Sequence, residues 1–69
     1  MVEFNLDGRE FVELCNLLKL TGLRGSGGMA KVAIAEGLVT VDGQVELRKR
    51  CKIRPGQLVE LEGKKISVS

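Results

Sequence analysis

Five of the seven residues from Arg48 to Arg54 are cationic: Arg48, Lys49, Arg50, Lys52 and Arg54. Read as extended chain, the stretch from Leu47 sends Arg48, Arg50, Lys52 and Arg54 to one face. Four positive groups would then stand about 6.5–7 Å apart along that face. The other face would carry Leu47, Cys51 and Ile53, three apolar residues able to pack on a core, together with Lys49. No acid lies within the run to pair the cations. A row of evenly spaced charges suits a chain of phosphodiesters better than a single carboxylate. The competing interpretation is a solvated basic edge, where cations discourage edge-to-edge aggregation.

A second anion-friendly feature is Gly25-Ser26-Gly27-Gly28, just ahead of an Ala-rich segment. Ser26 is a good N-cap. The unpaired N–H groups of a first helical turn carry partial positive charge and favour phosphate. Gly27, Gly28, Lys31 and Ala35 share one helical side, smooth and singly charged. Glycines weaken a first turn by up to about 1 kcal/mol each relative to alanine, which makes sense where something approaches closely. The spacing is neither G-x-x-x-x-G-K-S/T nor G-x-G-x-x-G after a strand. An ordinary interhelical turn is the alternative. We expect this turn and the cationic segment to lie side by side as one electropositive shelf.

Little else looks chemical. There is no histidine, and the acids form no evident pair, so no catalytic residue is assigned and no enzyme is expected. Cys15 and Cys51 have no C-x-x-C spacing, and a structural zinc site needs about four ligands. Both are read as reduced, core-facing thiols of a cytoplasmic protein. The acidic, polar start lacks the pattern of a signal peptide. No apolar run approaches the roughly 18–20 residues that span a bilayer. No metal, cofactor, small-molecule substrate or membrane contact is expected. Phe4 and Phe11 are the only aromatics and sit in apolar patterns, so both are predicted core. Without Tyr or Trp, a single-strand stacking platform is disfavoured.

The elements that must position these residues fit one small domain over residues 1–69, with little core to spare. Charge is unevenly laid out. Residues 1–17 carry four acids against Arg9, whereas residues 18–55 carry eight Lys/Arg against three acids. Met1 to Leu6 alternates as a short edge strand. Asp7 and Glu10 form a capping-box spacing, which predicts a helix from near Gly8. Its buried stripe would be Phe11, Leu14, Cys15 and Leu18, and Gly22 would end it. Met29, Ala30, Ala33 and Ile34 supply the core side of a second helix, ended by Gly37. Asp42-Gly43 predicts a type I′ hairpin after Leu38–Val41. Pro55-Gly56 predicts a type II turn. Gln57–Glu62 and Lys65–Val68 close the chain as strands around a Gly63-Lys64 turn. The fold class is α+β, a two-helix pair on a small, mostly antiparallel sheet.

Taken in order, these residues resemble the S4-like RNA-binding domain, or alpha-L motif. That family has a Leu-rich first helix, a Gly, a Ser-x-x-x-Ala second helix and then G-x-V-x-V-N/D-G. The counterparts here are Leu17-Leu18, Gly22, Ser26 to Ala30, and Gly37 to Gly43. Small stand-alone bacterial members also carry Ser-Gly-Gly-x-Ala-Lys and Arg-Lys-Arg, matched by Ser26 to Lys31 and Arg48 to Arg50. Many members have Arg directly after the Ser, where this chain has Gly27. The resemblance covers about residues 11–62. It implies a monomeric, translation-associated module binding structured RNA, ribosomal or tRNA-like. The implied contacts run from the second helix start (Arg24, Ser26, Gly27, Gly28 and Lys31, with Lys19 nearby) to the basic segment, Arg48 to Arg54. An acidic protein on the same face is the alternative partner. DNA is a weaker third, since backbone contacts separate RNA from DNA poorly.

Overall fold

Residues 1–22 and 27–69 are described by the computed structural model. Two short helices, α1 (Leu14–Leu20) and α2 (Gly27–Ala35), lie among seven strands. The strands are β1 (Val2–Phe4), β2 (Val12–Glu13), β3 (Val39–Val41), β4 (Gln44–Val45), β5 (Lys52–Ile53), β6 (Leu58–Leu61) and β7 (Lys64–Val68). Five form a sheet in the order β1-β7-β6-β3-β4, antiparallel except for the β1–β7 pair. The remaining two, β2 and β5, make a separate antiparallel ribbon. The helix pair and the meander appear as expected from sequence, with β1 at a sheet edge.

Burial follows the apolar spacing. Leu14, Leu17 and Leu18 of α1 and Ala30, Ala33 and Ile34 of α2 are buried against Val39, Ile53, Val59, Leu61, Ile66 and Val68. Fully burying one Leu, Ile or Val side chain stabilises by about 1.5–3 kcal/mol, and ten of these positions are of that kind. Met29 departs from the expected core side of α2 and is 56% exposed. No helix of the described residues is long and apolar enough to cross a membrane.

The first helix begins later than its capping-box spacing predicts. Asn5 Oδ1 accepts the Asp7 N–H at 2.6 Å, and Asp7 and Gly8 both take positive φ. That local turn competes with helix initiation. Val12 then pairs with Ile53 instead of joining the helix. Phe11 therefore leaves the expected helical stripe and lies half-buried beside the ribbon.

The turns agree better. Asp42 and Gly43 have φ of 51° and 84°, as a type I′ hairpin needs. The Gln57 N–H donates to the Arg54 carbonyl at 3.3 Å across Pro55-Gly56, with Gly56 at φ 92°. The last hairpin turns on Glu62-Gly63, one residue before the expected position. Behind α2, Gly37 donates to Ile34 and Leu38 donates to Ala33, which satisfies two orphan carbonyls at the helix end.

Candidate nucleic-acid interface

The basic segment is a loop that caps a helix. Only Lys52 and Ile53 are strand; Lys49-Arg50 turn back, with the Cys51 N–H donating to the Arg48 carbonyl at 3.1 Å. The carbonyl of Cys51 accepts the Leu14 N–H at 2.9 Å, and that of Lys49 accepts the Cys15 N–H at 3.0 Å. These are first-turn donors of α1, which has no side-chain cap. Loop carbonyls thus satisfy the orphan donors. With those carbonyls turned inward, the cationic side chains of residues 48–50 stay exposed. A cap built from residues nearly 40 positions away is invisible to a local capping pattern.

The loop breaks the regular alternation and keeps only part of its outcome. Arg48, Arg50 and Lys52 line one shallow cleft, together with Cys51. Ile53 is fully buried and Cys51 packs partly on the core, as expected for the apolar side. Leu47, expected inward, is 61% exposed, because the chain has left the sheet after β4. Lys52 and Arg54 flank Ile53 and share the opposite face. Their charged ends stand 5.0 and 5.9 Å from the centre of the Phe11 ring.

Two of the five cations are held by carboxylates from outside the run. Arg48 Nε lies 3.0 Å from Glu46 Oε2, and Arg50 Nε lies 3.0 Å from Glu13 Oε2. The Arg48 guanidinium, with its backbone N–H, holds the Glu46 carboxyl down at about 2. Glu46 and Glu13 in turn raise the two arginines. Burial pushes the Cys51 thiol up, which disfavours a reactive thiolate. Both arginine side chains remain more than three-quarters exposed, at 78% and 76%. Solvent-screened pairs of this kind are weak. Lys49, Lys52 and Arg54 have no acidic partner among the described residues.

Gln57 anchors the far end of the segment. Its Oε1 accepts the Arg54 N–H at 2.8 Å, while its Nε2 donates to Asp42 Oδ2 at 3.2 Å. Asp42 Oδ1 also accepts the Leu58 N–H at 3.0 Å. Those donors lower the Asp42 carboxyl pKa. The hairpin turn and the Pro55-Gly56 turn are thereby tied together behind Arg54.

Gly27 and Gly28 of the expected helix start open α2. A Cβ placed on Gly37 would meet Val45 and Leu47 at 3.7 and 4.0 Å, so the C-terminal end of α2 adjoins the chain entering the basic loop. Gly28 lies nine residues earlier, roughly 13 Å away at 1.5 Å per residue. Helix α2 therefore runs from the Gly27-Gly28 start toward the chain entering the basic loop. Lys19 and Lys31 are exposed on α1 and α2. Arg24 and Ser26, expected at the helix start, lie outside the described residues. Among the described residues, no cluster of three or more His, Cys, Asp or Glu could hold a metal ion.

Helix pair, mixed sheet and exposed basic loop together define a known module. A family model for the S4 domain matches residues 4–69, and the chain belongs to that family. The YbcJ protein of Escherichia coli (strain K12) is 56% identical over 68 residues, which cover 99% of this chain and 97% of that one. "Probable ribosome maturation protein RlbA" of Bacillus subtilis (strain 168) is 39% identical over 54 residues, 78% of this chain and 76% of its own. The solution structure of E. coli YbcJ matches with a TM-score of 0.77, covering 99% of this chain and 86% of that chain. It is described as revealing an alpha-L motif involved in RNA binding.

Proposed function

We propose that this chain is a non-catalytic RNA-binding module, acting as one unit over residues 1–69. It grips structured RNA through the phosphate backbone. The observation that carries the reading is the convergence of Arg48, Arg50 and Lys52 on one cleft, with Arg54 beside it. Membership of the S4 family and the RNA-binding description of the YbcJ structure support it. The likeness to a relative named for ribosome maturation favours ribosomal RNA, and hence a cytoplasmic, translation-associated role. Lys49 adds charge at the loop tip. Lys19, Lys31 and the α2 start at Gly27 and Gly28 (with Arg24 and Ser26) extend the contact along the helix pair.

The test is a filter-binding titration of a labelled RNA hairpin at several salt concentrations. With four to six phosphates contacted, log affinity falls against log salt with a slope of roughly −3 to −5. Changing Arg48, Arg50 and Lys52 together to Ala abolishes retention while the circular dichroism spectrum is kept. Unchanged binding, or binding indifferent to salt, refutes the reading. One observation favours a second partner class: Arg48 and Arg50 already donate to carboxylates of this chain. An acidic protein that co-purifies and persists after nuclease treatment would establish that alternative.

A further inference from the structure

Phe11 has a role that its apolar sequence context conceals. The register Val12↔Ile53 and Glu13↔Lys52 places Phe11 on the same face of the ribbon as Glu13, Lys52 and Arg54. Val12 and Ile53 fill the other face and are buried. Lys52 is directly opposite Glu13, yet the Glu13 carboxylate is taken by Arg50 at 3.0 Å. The lysine turns instead to the Phe11 ring, its Nζ 5.0 Å from the centroid. The Arg54 guanidinium lies 5.9 Å from the same centroid. One ring therefore gathers two cations of like charge that would otherwise separate.

A ring differs from a carboxylate as a partner. Its quadrupole attracts a cation without cancelling its charge. Glu46 and Glu13 orient Arg48 and Arg50 but offset them; Phe11 orients Lys52 and Arg54 and leaves both full charges facing solvent. Ordering a long side chain before binding removes an entropic cost that association otherwise carries. We propose that Phe11 is a positioning residue that pre-orders Lys52 and Arg54 as a two-cation clamp for adjacent phosphates of the bound RNA. The inference rests on the RNA-binding reading above and adds a residue that neither charge nor motif marks.

The test uses Phe11→Leu, which keeps apolar bulk and removes the ring, and Phe11→Tyr, which restores it. Binding of a fluorescently labelled RNA hairpin is measured across salt, and folding is followed by thermal melting. Phe11→Leu weakens binding about five- to tenfold at low salt and makes the log–log salt slope shallower by one to about two. Phe11→Tyr binds like the parent chain. In a Lys52→Ala/Arg54→Ala background, Phe11→Leu has no further effect. A purely packing role would instead lower the melting temperature, leave the salt slope alone and keep its full effect in that background. Without RNA, the methylene protons of Lys52 show an upfield ring-current shift that Phe11→Leu removes; absence of that shift in the parent overturns the inference directly. If Lys52→Ala/Arg54→Ala leaves RNA binding untouched, the reading of this face as an RNA site falls and the inference with it. If that double variant weakens binding and Phe11→Leu does not, the inference alone falls.

Discussion

Replacing Glu46 with Gln should tighten RNA binding. Glu46 holds Arg48 with both oxygens, at 3.0 Å to Nε and 3.2 Å to the terminal nitrogen, and also accepts the Arg48 backbone N–H at 3.0 Å. A glutamine keeps one carbonyl oxygen for that backbone donor, so the turn into the loop survives while the guanidinium is released. The pair is screened, since Arg48 is 78% exposed. Exposed pairs of this kind bias an equilibrium by a factor of no more than about five. A phosphate no longer has to displace a carboxylate, so affinity should rise about two- to fivefold. The salt slope should steepen by up to about one as an offsetting charge leaves the contact. Fluorescence anisotropy with a labelled RNA hairpin, at low and high salt, reads both quantities. The gain should vanish near 1 M salt, where the screening length is about 3 Å. Glu3→Gln is the control, because β1 lies at the sheet edge opposite β4. Weaker or unchanged binding by a folded Glu46→Gln variant would refute the account, as would an equal gain from Glu3→Gln.

Other outcomes are equally open to measurement. Stability should decline as pH falls from 4.5 toward 2, because the Glu46 carboxyl is lowered to about 2 in the folded chain. Its contribution is complete above the ordinary value of 4.5 and lost on protonation; Asp42, also lowered, acts in the same direction. Urea melts across that window check it, and Glu46→Gln should flatten the decline. Gly37→Ala should cost roughly 1–2 kcal/mol in chemical denaturation, because its φ of 77° disfavours any Cβ. The added methyl itself meets only ordinary contacts. Leu17→Ala empties a fully buried site and should cost about 2–5 kcal/mol. That is a large share of the roughly 3–10 kcal/mol a domain of this size holds, so its thermal transition should begin near room temperature.

Local geometry is where the sequence was most legible. Asp42-Gly43, Pro55-Gly56, Gly22 and Gly37 each demand a backbone conformation that few other residues adopt, and each turn or helix end falls where those residues stand. Of the expected stripe, Leu14 and Leu18 are buried on α1, joined by Leu17, while Cys15 is half-buried. The start of that helix was misread. A capping box is a pattern within four residues, and here an Asx turn and a strand pair overrode it. The opening donors of α1 are satisfied by the carbonyls of Lys49 and Cys51.

For the site, residue types alone made the dense cationic segment legible. Which partner each cation takes was decided by tertiary structure. Glu13 reaches Arg50 across 37 positions of chain, and Phe11 meets Lys52 and Arg54 only because β2 and β5 pair in one particular register. Turn residues act on their own dihedral angles, so their message survives in a linear string. Ion pairs and ring contacts act on distances between remote segments, and those distances exist only once the core has closed.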